Sequence, residues 1–169
     1  VFVLTLVPLP SNRVAMFEKN EGKLLREIET RGSVKLKLAD GSVEIEGEGG
    51  SEYIAEQVVR AVCLGFEPQK AFKLFNDEFF LEIIDLEQVV SRNEKRLAQY
   101  KARLIGTEGK ARKTMEELSG AFVSVYDNKV ALIGRFEDLK AAKEGIKMLL
   151  EGKTHNSVYA FLEKQRKGL

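Results

Sequence analysis

The chain has 169 residues, 44% of them hydrophobic and 31% charged, with three prolines and a net charge of +1. That composition excludes a disordered chain and allows one ordinary domain or two small ones. A single cysteine excludes an internal disulfide, and no stretch approaches the roughly 20 apolar residues a membrane-spanning helix needs.

The apolar start, Val1 to Val7, lacks a basic leader region and stops at Pro8, so it reads as a strand rather than a signal sequence. A short helix near 11–18, a break near 19–22 and a helix over 23–31 ending at Gly32 follow. Strands over 33–38 and 42–47 turn at Asp40-Gly41. The helix over 51–64 stops at Gly65; it carries Cys63 in an apolar run, which reads as a buried structural thiol in an intracellular, cytoplasmic chain. A short helix covers 68–75.

Phe79 to Leu86 is rich in aromatic and branched residues and reads as a strand. Residues 93–105 place Leu97, Tyr100 and Leu104 on one helical face. A glycine-bounded break at 106–109 separates this helix from one over 110–119, which stops at Gly120. Strands over 121–126 and 129–134 join across Asp127-Asn128. The helix over 136–150 carries Leu139, Ala142, Ile146 and Leu149 and ends at Gly152, and a last helix runs over 156–167.

The two halves repeat. At an offset of 87, Glu21-Gly22-Lys23 falls on Glu108-Gly109-Lys110, Gly47 on Gly134, Gly65 on Gly152 and Phe72 on Tyr159. Gly32 and Gly120 miss by one residue, for which a single insertion is the expected reason. Each half reads β-α-(Gly loop)-α-β-β-α, the order of a type I KH domain. The expected fold is α+β: two tandem type I KH domains, 1–77 and 78–169, each with a three-stranded antiparallel sheet, plus an extra C-terminal helix.

Residues 1–90 carry 10 Lys and Arg against 16 Asp and Glu; residues 91–169 carry 17 against 10. Within 91–113 stand eight basic residues, Lys101 and Arg103 among them, against Glu94 and Glu108. Such a segment is an electrostatic footprint for phosphate, or else a solvated helix face. Gly106-Thr107-Glu108-Gly109 supplies the second ingredient. Glycines let backbone approach backbone closely, and the amides at the start of the next helix face phosphate. Lys110, Arg112 and Lys113 would neutralise it. In KH domains this loop clamps about four nucleotides, with the bases in an apolar groove whose expected walls are Ile105, Val123 and Val125. Glu108 either points to solvent or accepts from a base edge. The first loop, Lys19-Asn20-Glu21-Gly22, lacks its first glycine in an acidic half, so it is expected to be weak or silent for RNA.

Three runs, Leu104 to Gly120, Met148 to Glu163 and Leu64 to Phe72, resemble the archaeal small-subunit ribosome-assembly KH-domain family, related to the eukaryotic partner of the Nob endonuclease. The resemblance implies binding of single-stranded RNA near the 3′ end of small-subunit rRNA. It implies as partners a Nob-like endonuclease and the alpha subunit of archaeal initiation factor two, and as RNA-facing residues Gly106, Thr107, Glu108, Gly109, Lys110, Arg112 and Lys113. No enzyme is expected, and no cofactor or metal: one histidine and one cysteine make no usual metal cluster, and no P-loop or catalytic serine motif occurs. His155 reads as a capping or surface residue, with an RNA contact as the alternative. The competing function is a protein-interaction scaffold using the acidic half and the last helix, with Val158, Phe161 and Leu162 as its apolar face.

Overall fold

In the computed structural model, which describes residues 2–168, the apolar start forms strand β1 (Val3–Pro8); Val1, included in the expected strand, lies outside the described residues. Helix α1 (Val14–Gly32) is broken at Lys19–Gly22, where Asn20, Glu21 and Gly22 take positive φ. Strands β2 (Lys35–Ala39) and β3 (Ser42–Gly47) form a hairpin through left-handed Asp40 and Gly41. Helix α2 (Ser51–Cys63) is followed by α3 (Pro68–Ala71), which tightens into a 3-10 turn over Phe72–Phe75. The sheet is antiparallel in the order β1-β3-β2.

After the division between Asp77 and Glu78, β4 (Phe79–Asp85) leads into α4 (Leu86–Val89). The strand expected to include Leu86 ends one residue earlier, because the Asp85 carboxylate accepts from the Glu87 N–H and caps the helix. Asn93 likewise caps α5 (Glu94–Ile105). A 3-10 turn (Thr107–Gly109), α6 (Lys110–Ser119), β5 (Phe122–Tyr126), β6 (Lys129–Arg135), α7 (Phe136–Leu150) and α8 (His155–Arg166) complete the second unit. Its sheet is antiparallel in the order β4-β6-β5. The chain is thus an α+β protein with two three-stranded antiparallel sheets. Among the described residues no helix is long and apolar enough to cross a membrane.

The repeat runs deeper than sequence alone suggests. Leu36 pairs with Ile45 and Val123 with Leu132, keeping the offset of 87 through both hairpins. A Cβ on Gly47 would press on Val34 and Ser51; one on Gly134 would lie 3.2 Å from Ala121 Cβ, with Asp138 next. Those neighbours are again 87 apart. The insertion expected from Gly32 and Gly120 does not exist. Ser33 occupies the left-handed C-cap of α1 (φ 53), the place of Gly120 after α6 (φ 84). The insertion lies elsewhere: Val3 pairs with Gly47 but Phe80 with Gly134, so the first strands are offset by 77 and the second unit gains ten residues around α4. Helix α8 begins 87 residues after Pro68, which makes it a lengthened α3 rather than an addition.

The second unit's core joins Leu97 and Leu104 of α5, Met115 of α6, Val123 and Leu132 of the sheet, and Ile146 and Leu149 of α7. Val158 and Leu162 of α8 are fully buried in the same cluster, and Phe161 is packed against it. The last helix therefore has no free apolar face of the kind the scaffold reading needs. In the first unit Cys63 is buried, and burial pushes its thiol up to about 11 against the opposing pull of Arg13 and Arg60.

Candidate nucleic-acid interface

The break between α5 and α6 is a tight turn. The Gly106 N–H closes α5 on the Ala102 carbonyl (2.8 Å), and the Gly109 N–H returns to the Gly106 carbonyl (3.2 Å). Gly106 has φ 74 and ψ 177, where essentially only glycine is comfortable. A Cβ there would lie 2.6 Å from Ala111 Cβ and 2.7 Å from Ala111 N. The first glycine is thus needed because the start of α6 lies against it. Gly109 (φ 75, ψ 12) faces open space and is needed only for its backbone. Glu108, also left-handed (φ 55), is exposed, as is Thr107.

No side chain caps α6, so the positive end of its dipole opens on the turn. Lys110 and Lys113, one turn apart on α6, are exposed beside it. Ile105, Lys101 and Val125 are partly exposed.

Three expected site residues are engaged within the fold. Val123 is buried in the core, whereas Val125, on the same face of the strand, is partly exposed at the margin of that core. Arg103 donates to the Leu149 and Lys153 carbonyls, both at 2.6 Å, and so ties α5 to the C-terminal end of α7. The first unit makes the same clamp, with Arg13 donating to Val62 (2.7 Å) and Phe66 (3.4 Å), carbonyls 87 residues earlier, although the two arginines are not aligned. Arg112 pairs with Glu116 (2.9 Å) and donates to the Val123 carbonyl (3.2 Å). The other Glu116 oxygen accepts from the Val123 N–H (2.7 Å). Glu116 is the neighbour of the turn helix that the sequence reading missed; the repeat places it opposite Glu29, a signal that was available.

His155 also has a structural partner: its Nε2 meets the Arg103 carbonyl at 2.8 Å, while Thr154 caps α8. In the first unit the broken loop is held differently. Arg26 donates to the carbonyls of Glu21 and Asn20, drawing them toward a guanidinium.

Val123 directs both its N–H and its C=O away from β6, so Val125, two residues along the same edge strand, directs its own pair the same way. The second unit therefore sets an anion-receptive turn, two exposed lysines and a strand edge with a donor and an acceptor on adjoining elements.

Comparison with known proteins identifies the family. Residues 80–167 match the family model of the eukaryotic type KH-domain (KH-domain type I). A KH domain-containing protein of Methanocaldococcus jannaschii is 40% identical over 96% of this chain and 74% of its own length. The pre-rRNA-processing protein pno1 of Aspergillus fumigatus is 28% identical, over 94% of this chain and 66% of its own length. A crystal structure of the a/eIF2alpha-aDim2p-rRNA complex from Pyrococcus horikoshii contains a chain with a TM-score of 0.90 and 34% identity, covering 99% of this chain and 96% of that one. Half of the sequence thus matches one KH model and nearly all of it aligns with these relatives, and the chain belongs to the family of PNO1 and Dim2p KH-domain proteins.

Proposed function

We propose that this protein binds single-stranded RNA through its second unit, residues 78–169, near the 3′ end of small-subunit rRNA during ribosome assembly in the cytoplasm. The turn at Gly106–Gly109 carries the reading: it leads into an uncapped helix with Lys110 and Lys113 exposed beside it. A backbone phosphate would sit on the amides of the turn and the start of α6, with both lysines neutralising it. Bases would lie toward Ile105 and Val125, where the outward N–H and C=O of Val125 can pair with a base edge. Thr107 and Glu108 are exposed at the turn, where they would meet the ribose or a base.

The first unit, residues 1–77, is a second KH domain that has lost its clamp. Its sheet order and hairpin register support the kinship, and Lys19 in place of the first glycine, with Arg26 on the loop carbonyls, explains the loss. The protein acts by binding rather than catalysis. The alpha subunit of archaeal initiation factor two is the proposed partner, supported by the similar chain in the Pyrococcus complex; a Nob-like endonuclease is a second one, implied by the family.

Fluorescence anisotropy with an oligomer of the small-subunit RNA 3′ end and a scrambled control, at several salt concentrations, tests the reading. Lys110→Ala and Lys113→Ala should each weaken binding and flatten the log–log salt slope by about 0.7. Arg103→Ala should lower stability and leave that slope unchanged. Undiminished binding in both lysine variants would move the site elsewhere, and a wild-type chain that binds no RNA would favour a protein scaffold.

A further inference from the structure

The ring Arg112–Glu116–Val123 lies beside the proposed RNA path without belonging to it. Glu116 presents one carboxylate oxygen to Arg112 and the other to the Val123 N–H, and Arg112 closes the ring on the Val123 carbonyl. Both side chains are largely covered, at 24% and 15% exposure. The ring therefore fastens α6, which starts at the glycine turn, to β5, whose next outward residue is Val125. Its length and angle set the separation between the phosphate cradle and the strand edge.

The first unit holds half of the same device. Glu29 accepts from the Leu36 N–H at 3.0 Å, each residue 87 positions before its counterpart. The position matching Arg112 is Leu25, so the carboxylate clasps the strand there without a cation and without a bond to the strand carbonyl. The full ring stands in the unit with the intact glycine turn, and the reduced one in the unit whose turn is degenerate.

We infer that Glu116 and Arg112 are positioning residues for RNA: they act through the edge of β5, fixing the groove width, and Arg112 does not itself contact phosphate. This rests on the RNA reading above. It also reverses the sign that simple charge would give. Deleting an acidic side chain near a phosphate should tighten binding, whereas deleting a clasp should loosen it.

The test measures RNA affinity and its salt slope by anisotropy, and exchange of the Val123 amide by NMR, in the full chain. Glu116→Ala should weaken RNA binding about tenfold with an unchanged salt slope and a faster-exchanging Val123 amide. Glu116→Gln keeps an acceptor for that amide, so it should fold as wild type and lose less affinity. Arg112→Ala should weaken binding, again at unchanged slope. Glu29→Ala should speed exchange at Leu36 without altering RNA affinity. Equal or tighter binding by Glu116→Ala, or a slope lowered by about 0.7 in Arg112→Ala, would overturn the inference while leaving the RNA reading intact. Absence of salt-dependent binding by wild type would instead remove the RNA reading and the inference with it.

Discussion

The two glycines of the turn look interchangeable in the sequence, yet the structure gives them unequal burdens. In Gly106→Ala the new Cβ stands 2.6 Å from Ala111 Cβ, about 0.8 Å inside ordinary contact, and 2.7 Å from Ala111 N. Ala111 is buried in the first turn of α6, so the helix start must move. The backbone at φ 74, ψ 177 adds its own strain. Overpacking of about 1–3 kcal/mol and strain of about 1–3 kcal/mol give roughly 2–6 kcal/mol of destabilisation. Gly109→Ala meets nothing within 4 Å and bears only the left-handed penalty, about 1–2 kcal/mol. Both gain the same small benefit from a stiffer unfolded chain, about 0.4–1 kcal/mol. Gly106→Ala should therefore be the less stable variant by about 2–3 kcal/mol, roughly a 1 M lower urea midpoint. Tyrosine fluorescence suits the assay, since Tyr100, Tyr126 and Tyr159 lie in the second unit and only Tyr53 in the first. Equal midpoints, or a lower one for Gly109→Ala, would refute the packing argument.

Ser33→Gly relieves the left-handed C-cap of α1 and should stabilise the first unit by about 1 kcal/mol, read as a rise in its thermal midpoint. The Cys63 thiol, raised by burial from 9.0 to about 11 in the folded chain, ionises first in the unfolded one. Its contribution is thus intact below pH 9 and is lost between about pH 9 and 11, by about 2–3 kcal/mol. Stability of Cys63→Ala measured across that interval should fall less steeply than that of wild type.

The sequence by itself determined the local order of this protein. Apolar periodicity, turn pairs and helix stops depend on neighbours in the chain, so the strands, the helices, the duplicated plan and the position of the glycine turn were legible in it. Partners across space were not. Arg103 and Arg112 read as phosphate ligands within a basic run, because charge count does not say where a guanidinium is held. Only the fold delivers Arg103 to the carbonyls ending α7 and Arg112 to Glu116. Val123 and Val125 share one strand, one face and similar chemistry, and only packing in three dimensions leaves Val123 buried and Val125 partly exposed at the margin of the same core. The misplaced insertion has the same origin. Glycine marked the helix stop after α6, but at Ser33 the tertiary structure holds a non-glycine residue in the left-handed conformation that propensity alone would have assigned to Gly32.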